Sequence, residues 1–503
     1  MNGLDMHKSI NLTIVLLTYN RSRDTYLQQA IEAILAQSYG DFELLVMDNH
    51  SEDSTAELVR SYEDHRITYI RQPPGGNATT NYLSGLWFSR GKYVLLTHDD
   101  DVLNNDMLQR QMEFIQENPK VLCVGTNVSL IDERGKVIQD RLYPVNDDRL
   151  FDEVEYIKAY LEEKLWLPTP TLLFDRLAHI MALSGIIRHR KSKYESSGDI
   201  WLLFLLNLKG QIGFIADPLF RYRQHSGQES RNVDQSAPMS HMARNLLNNR
   251  SRNKKLKPFL PDVWGSYIRF TMQDILFGAM EKGGRSNISQ QLDKLFKRWS
   301  RAIPASKRAV DSALPAEIFS LVFEGKSMIT KSAFESINET PSKAGAQLGY
   351  RNWLGALHHD VSIFASQPNL KKVALFGSML TAFILVKEAR KHNIQVVCCL
   401  DSAPARIGRK VLGVPILNLD ELPAIEPTID SIILTSERDH EAALIEILQQ
   451  KIGNQDLPIQ SWKDLAGLAM LEVADKGMIR NHNLTEDSKV FADYTNKAML
   501  EVN

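Results

Sequence analysis

Three cysteines in 503 residues, Cys123 and the adjacent pair Cys398-Cys399, are too few for a disulfide framework and lack the spacing of a metal cage. A reducing compartment is the simplest home for such a chain. Charge of one sign is also lacking. The formal net charge is −2, so composition offers no argument for nucleic acid, and no nucleic-acid partner is expected. No run of about 18 apolar residues occurs, and the first residues, Met1 to Lys8, lack the basic start and apolar stretch of a signal peptide. The expectation is a cytoplasmic protein, with peripheral attachment at the inner face of a membrane left open. What is present is ordinary for a globular chain, 43% hydrophobic and 24% charged residues, at a length that calls for two to four domains.

The pattern along the chain changes twice. Residues 12–130 alternate short apolar strands with amphipathic helices. Strands are expected at Leu12–Thr18, Phe42–Asp48, Ile67–Arg71 and Tyr93–Thr97, with a helix over 24–38. Such alternation predicts a parallel sheet with helices on both faces, whose ligands bind beyond the carboxyl ends of the strands. Those ends carry Thr18-Tyr19-Asn20, Asp48-Asn49, Arg71 and His98-Asp99-Asp100-Asp101. From about residue 240, long helical stretches take over, such as Val263–Met280 and Ile288–Trp299. A second α/β region begins at Lys371, with strands at Val373–Phe376, Ile394–Asp401 and Ile432–Thr435. The expected division is 1–238, an α/β domain; 239–368, a helical linker domain; 369–475, a second α/β domain; and 476–503, a tail.

Three consecutive carboxylates repel one another, and a divalent cation is one reason to tolerate them. A solvated acidic turn or a helix cap is the plainer explanation of Asp99-Asp100-Asp101, although its place at a strand end favours the cation. Asp48 likewise ends a strand, where it would accept from a base N–H or cap the next helix.

Combined, these pieces resemble a known family. TIVLLTYNR (Thr13–Arg21), AQSY (Ala36–Tyr39), FELLVMDNHSEDST (Phe42–Thr55), Asn81 and RGKYVLLTHDDD (Arg90–Asp101) look like the opening of family 2 glycosyltransferases with the GT-A fold, over about residues 10–230. His50 stands where that family usually has glycine. The resemblance implies that Thr18, Asn20 and Asp48 line a nucleotide base with Arg71 nearby. It also implies that Asp100 approaches the ribose, that Asp99 shares the diphosphate network, and that Asp101 binds Mn²⁺ or Mg²⁺. The family's acceptor base falls on Asp199 within SSGDIWLLFLLNLKG (Ser196–Gly210), where Gly198 replaces a common glutamate; the same Asp199 would cap a helix. PLFRYRQHSGQES (Pro218–Ser230) resembles the family's Tyr-Arg-x-His element, making His225 a further metal ligand and Arg221 or Arg223 a diphosphate contact. Residues Ser226–Pro238 would form a lid. Trp166-Leu167-Pro168-Thr169-Pro170-Thr171 falls where the family shapes its acceptor pocket, and Trp166 or Trp201 would stack on a sugar or fill the core.

In the second α/β region, Gly377-Ser378-Met379-Leu380-Thr381-Ala382 and Asp401 echo a dinucleotide fingerprint, with Met379 in place of its second glycine. Val373–Ser436 resembles small Rossmann-like domains that precede sugar acyltransferases or occur in polysaccharide-assembly proteins, which implies a sugar-nucleotide site or a purely structural domain. The basic run Arg250–Lys257 would touch anionic headgroups or form a solvated helix face. The expected activity is transfer of a sugar, with inversion, from a nucleotide-sugar, UDP-sugar by resemblance, to a carbohydrate or lipid-linked hydroxyl in cell-surface polysaccharide or glycolipid biosynthesis. Two rivals are a nucleotidyltransferase, against which TYNRSRD (Thr18–Asp24) lacks a glycine-rich phosphate loop, and an inactive sugar-nucleotide-binding scaffold.

Overall fold

The structure, a computed structural model, describes residues 11–163, 165–188, 198–225, 240, 243–244, 246–247, 254–281, 288–308, 310–330, 332, 345–377, 379–403, 405–437, 441–454 and 456–476. Places singled out from the sequence that lie outside them are Met1–Lys8, Ser196-Ser197, the stretch Ser226–Pro238, the start of the basic run at residues 250–253, Ser378 and the tail beyond Lys476. The chain packs as two compact units, Met1–Glu229 with Asn253–Leu256, and Ser230–Arg252 with Lys257–Asn503. The helical stretch and the second α/β region therefore fall within one unit.

In the first unit, β1 (Leu12–Thr18) and β2 (Phe42–Asp48) are mostly apolar and buried on both faces, as central parallel strands must be. They are followed in the chain by β3 (Ile67–Arg71), β4 (Tyr93–His98), the two-residue β5 (Val102–Leu103), β6 (Val121–Ile131), β7 (Val137–Gln139), β8 (Arg149–Phe151), β9 (Leu173–Asp175) and β10 (Gln211–Arg223). The sheet order is β3-β2-β1-β4-β9-β6-β10-β5, with β7 on β6 and β8 on β10. The β3-β2-β1-β4 half is wholly parallel. The sheet as a whole is mixed, because β9 runs antiparallel to both β4 and β6.

Helices α1 (Tyr26–Leu35), α2 (Thr55–Arg60), α3 (Ala78–Phe88) and α4 (Met107–Glu117) are the crossovers. The apolar stripe of α1, Leu27, Ala30, Ile31 and Ile34, is buried in one core with Ile14, Leu16, Leu44 and Val46. Asn77 starts α3 through a capping box with Thr80. Gly91 is required by close approach: a Cβ there would lie 2.5 Å from the Thr13 nitrogen. Helices α5 (Glu155–Glu163), α6 (Arg176–Arg188) and α7 (Gly198–Asn207) complete the unit.

Parallel register aligns the carboxyl ends. Thr18 lies beside Asp48, Asp48 beside Arg71, and Leu17 beside His98. The strand-end residues singled out from the sequence therefore share one edge.

The second unit holds β11 (Lys372–Phe376), β12 (Gln395–Asp401), β13 (Lys410–Val411), β14 (Val414–Asn418), β15 (Ser431–Leu434) and β16 (Ile459–Ser461). Its order is β13-β14-β12-β11-β15-β16, parallel except for the β13 hairpin. The parallel strands thus run outwards from β11 in both directions, the doubly wound arrangement, with the reversal of strand order between β11 and β15.

Candidate active site at the acidic strand edge

The loops after β1 and β2 are stitched together by short polar bonds. The Asn20 backbone N–H donates to Ser51 Oγ at 2.8 Å, and Asn20 Oδ1 accepts from the Glu52 N–H at 2.9 Å. The Arg21 N–H donates to Thr55 Oγ1 and the Ser22 N–H to Asp53 Oδ2, each at 2.9 Å. Asp53, held also by Thr55, is pulled down to about 2: these hydrogen bonds outweigh its partial desolvation. Arg71 donates to the Ser51 carbonyl at 2.6 Å.

Asp48 is fully buried. Its Oδ1 accepts from the Ser51 N–H and hydroxyl at 2.8 and 2.6 Å, and its Oδ2 accepts from the Tyr69 hydroxyl. It closes the turn over 48–51 and does not cap α2, whose N-cap is Ser54. The turn explains the family's glycine. His50 has φ of 64°, the left-handed region, and its ring Nδ1 lies 3.1 Å from the Gln72 carbonyl. A glycine takes that conformation without strain; here histidine accepts it and gains a hydrogen bond.

The three aspartates after β4 diverge. Asp99 is buried against Arg21, whose Nε is 3.1 Å away, and accepts from the Tyr19 N–H at 3.3 Å. Burial pushes it up to about 6, with Arg21 and the Thr18 hydroxyl working against that rise. Asp100 accepts from His225 Nε2 at 2.8 Å and faces Arg21 Nη2 at 3.7 Å. Burial would raise it, but the His225 bond, with His98 and Arg21, holds it below the usual carboxylate range. Asp101 is 1% exposed; burial first and the Asp100 charge second raise it well above that range.

Strand β10 brings the downstream element here. Antiparallel pairing of Arg221 with Val102 sets the Arg223 N–H 2.8 Å from Asp101 Oδ1. The Arg223 side chain is 1% exposed and donates to the carbonyls of Asp100, Asp132 and Glu133 and to Gln29 Oε1. It clamps the loop from behind, whereas Arg221 is exposed on β10. His225 is likewise committed to Asp100.

Ligand atoms of His98, Asp100 and Asp101 lie within 4.8 Å of one another. His98 had no assigned role in the sequence, because its part depends on how the strand end turns. Two acidic groups and an imidazole at that spacing suit a divalent cation that favours oxygen ligands and tolerates nitrogen. The donor set also accounts for the burial of Asp101, a group whose charged form is costly there without a counterion.

Asp199 lies in the first turn of α7, where Thr169 Oγ1 donates to its Oδ2 at 2.6 Å and the Ile200 N–H lies 2.8 Å from its Oδ1. Trp166 meets Tyr222 edge-on with ring centroids 6.1 Å apart. Among the described residues, no helix is long and apolar enough to cross a membrane.

In sequence, glycosyltransferase GlyG of Streptococcus pneumoniae serotype 4 is 23% identical over 228 residues, covering 43% of this chain and 71% of that protein. An uncharacterized glycosyltransferase of Rickettsia bellii is 30% identical over 133 residues, 26% of this chain but 19% of that longer relative. In structure, S. aureus TarS 1-349 in complex with UDP-GlcNAc is similar with a TM-score of 0.44 and 16% identity, covering 62% of this chain and 86% of that one, a likeness too loose to assign a donor. Residues 13–181 match the family described as glycosyl transferase family 2. That match falls on the strands and the acidic edge described above, so this part of the chain is similar to family 2 glycosyltransferases.

Proposed function

We propose that the first unit transfers a sugar from a nucleotide-sugar donor, of the UDP-sugar class, to a hydroxyl of a carbohydrate or lipid-linked acceptor, with inversion at the anomeric carbon. The observation that carries this reading is the buried acidic edge, where Asp99, Asp100 and Asp101 sit against Arg21 and His98 at the carboxyl ends of parallel strands. Cell-surface polysaccharide or glycolipid assembly at the inner face of a membrane is the setting we assign to it.

In this reading His98, Asp100 and Asp101 hold Mn²⁺ or Mg²⁺, with His225 fixing the orientation of the Asp100 carboxylate. A bound divalent cation supplies charge neutralisation for the departing nucleoside diphosphate. Thr18, Asn20, Asp48 and Arg71 shape the base pocket: the buried Asp48 sets the turn, and the exposed Arg71 head anchors it from outside. Asp99 keeps Arg21 beside Asp100. Asp199 takes the proton from the acceptor hydroxyl as the new bond forms. The left-handed backbone at His50 removes one argument for an inactive scaffold, since the departure from glycine leaves the turn intact.

The test is hydrolysis and transfer across a panel of nucleotide-sugars with and without Mn²⁺, comparing wild type with Asp101→Asn and Asp199→Asn. Metal-dependent donor binding lost in the first variant, and turnover without loss of binding abolished in the second, is the expected result. Absence of donor binding by the wild type at any metal concentration would sink the reading.

A further inference from the structure

Thr169 belongs to a turn held by hydrogen bonds from several elements. It stands between Pro168 and Pro170 at the start of a 3₁₀ turn, Thr169–Thr171. The two ring-locked residues restrict the backbone before any tertiary contact forms. The Thr171 N–H and hydroxyl both donate to the Pro168 carbonyl, at 2.9 and 2.8 Å, and the Leu172 N–H donates to the Thr169 carbonyl at 3.0 Å. Gln111, fully buried on α4, donates to the Thr171 carbonyl at 2.7 Å and to Val124 of β6 at 3.2 Å. On the other side, the Tyr143 hydroxyl accepts from the Trp166 N–H at 2.8 Å and donates to the Trp166 carbonyl at 2.9 Å.

This rigid turn presents one hydroxyl to one carboxylate. The Thr169 side chain reaches across 30 residues of sequence to Asp199 Oδ2 at 2.6 Å, while the Ile200 N–H lies 2.8 Å from Oδ1. A carboxylate has about four lone-pair sites. Donors on both oxygens stop its rotation and leave the remaining lone pairs aimed in one direction. A base held this way meets its proton without first losing side-chain freedom.

We infer that Thr169 is a positioning residue for Asp199, fixing its carboxylate for the acceptor hydroxyl. The inference rests on the proposed role of Asp199 as base. Thr169→Val preserves shape and removes the hydroxyl, whereas Thr169→Ser preserves the hydroxyl.

The experiment is steady-state turnover of UDP-glucose and UDP-N-acetylglucosamine by the full chain, with melting temperature measured in parallel. Thr169→Val is expected to lower kcat about tenfold, equivalent to about 1.4 kcal/mol of barrier, with the donor KM and melting temperature unchanged. Thr169→Ser should restore most of that loss, and Thr169→Val added to Asp199→Asn should cost nothing further. An inactive Asp199→Asn beside a Thr169→Val enzyme of wild-type kcat would overturn the positioning role alone. A fall in melting temperature together with a raised donor KM in Thr169→Val would do the same, by showing a structural role. An Asp199→Asn enzyme with wild-type turnover would overturn the base reading and this inference with it, as would a wild type that turns over neither donor.

Discussion

The two sheets of this chain end in opposite ways. At the carboxyl edge of the first, acidic groups crowd together: Asp101 is buried and raised well above the usual carboxylate range, and Asp100 shares its surroundings with His98, Arg21 and His225. At the carboxyl edge of the second, where a doubly wound sheet would take a nucleotide, the chain fills its own crevice. Arg269, on the helix Leu260–Glu281, pairs with Glu437 beyond β15, and Phe277 of the same helix lies under Arg409 beyond β12, 4.3 Å from ring centroid to guanidinium carbon. The helix therefore bridges the loops on either side of β11. The turn after β11 is closed too. Gly377 has φ of 115° and a Cβ there would lie 2.1 Å from Thr435 Oγ1, while the Tyr350 hydroxyl sits 3.0 Å from Thr381 Oγ1 in the first turn of the helix Leu380–Lys391. Similar sheets thus differ in what gathers at that edge: crowded carboxylates in the first, packed side chains in the second.

Substitutions at the two edges should separate these roles. The largest effect is expected for Asp101→Asn, which should lower metal-dependent turnover by on the order of 10³-fold with little change in melting temperature; kinetics with and without Mn²⁺ check it. Gly377→Ala should do the reverse. Strained φ and overpacking against Thr435 predict about 3 kcal/mol of destabilisation, read by denaturant unfolding, with unaltered donor affinity. A loss of donor affinity in that variant would show that the second edge also binds donor.

Much of the first edge is legible in the amino-acid order, and the reason is physical. β1 and β2 begin and end close to where the apolar runs do, because strands buried on both faces tolerate little else. The acidic run after β4 likewise stands out. β6 and β10 are harder to read: Gly125, Thr126 and Asn127 interrupt one apolar run, and register shifts between Ile215 and Phe220 interrupt the pairing of the other. Side-chain roles that depend on distant backbone are invisible at that level. The carbonyl acceptors of Arg223 come from Asp100, Asp132 and Glu133, and the Thr169–Asp199 bond joins segments 30 residues apart. In the second unit, the glycine-containing turn is legible, but Thr435 and Tyr350, which fill it, come from elsewhere in the chain.

Smaller effects sharpen the account of the first unit. His179 is fully buried, with Nε2 2.5 Å from the Tyr82 hydroxyl, and burial lowers it to about 3 from the ordinary 6.5. A histidine whose folded value is depressed contributes stability above its unfolded value and loses it as pH falls, because the unfolded chain takes up the proton first. Between pH 6.5 and 5 this amounts to about 1.6 kcal/mol. Unfolding of His179→Asn across that range should therefore show a shallower pH slope than wild type. The smallest effect is expected at His50→Gly. Relief of the left-handed strain and loss of the Gln72 hydrogen bond offset each other to within about 1 kcal/mol, so melting temperature and donor affinity should barely move.

The central claim, that the acidic edge of the first unit receives the diphosphate of a nucleotide donor through a divalent cation, is tested most directly by calorimetric titration of UDP into the full chain with and without Mn²⁺. The account predicts binding that requires Mn²⁺ in the wild type, disappears in Asp101→Asn and persists in Thr169→Val. Binding of UDP that ignores both Mn²⁺ and the Asp101 substitution would contradict it.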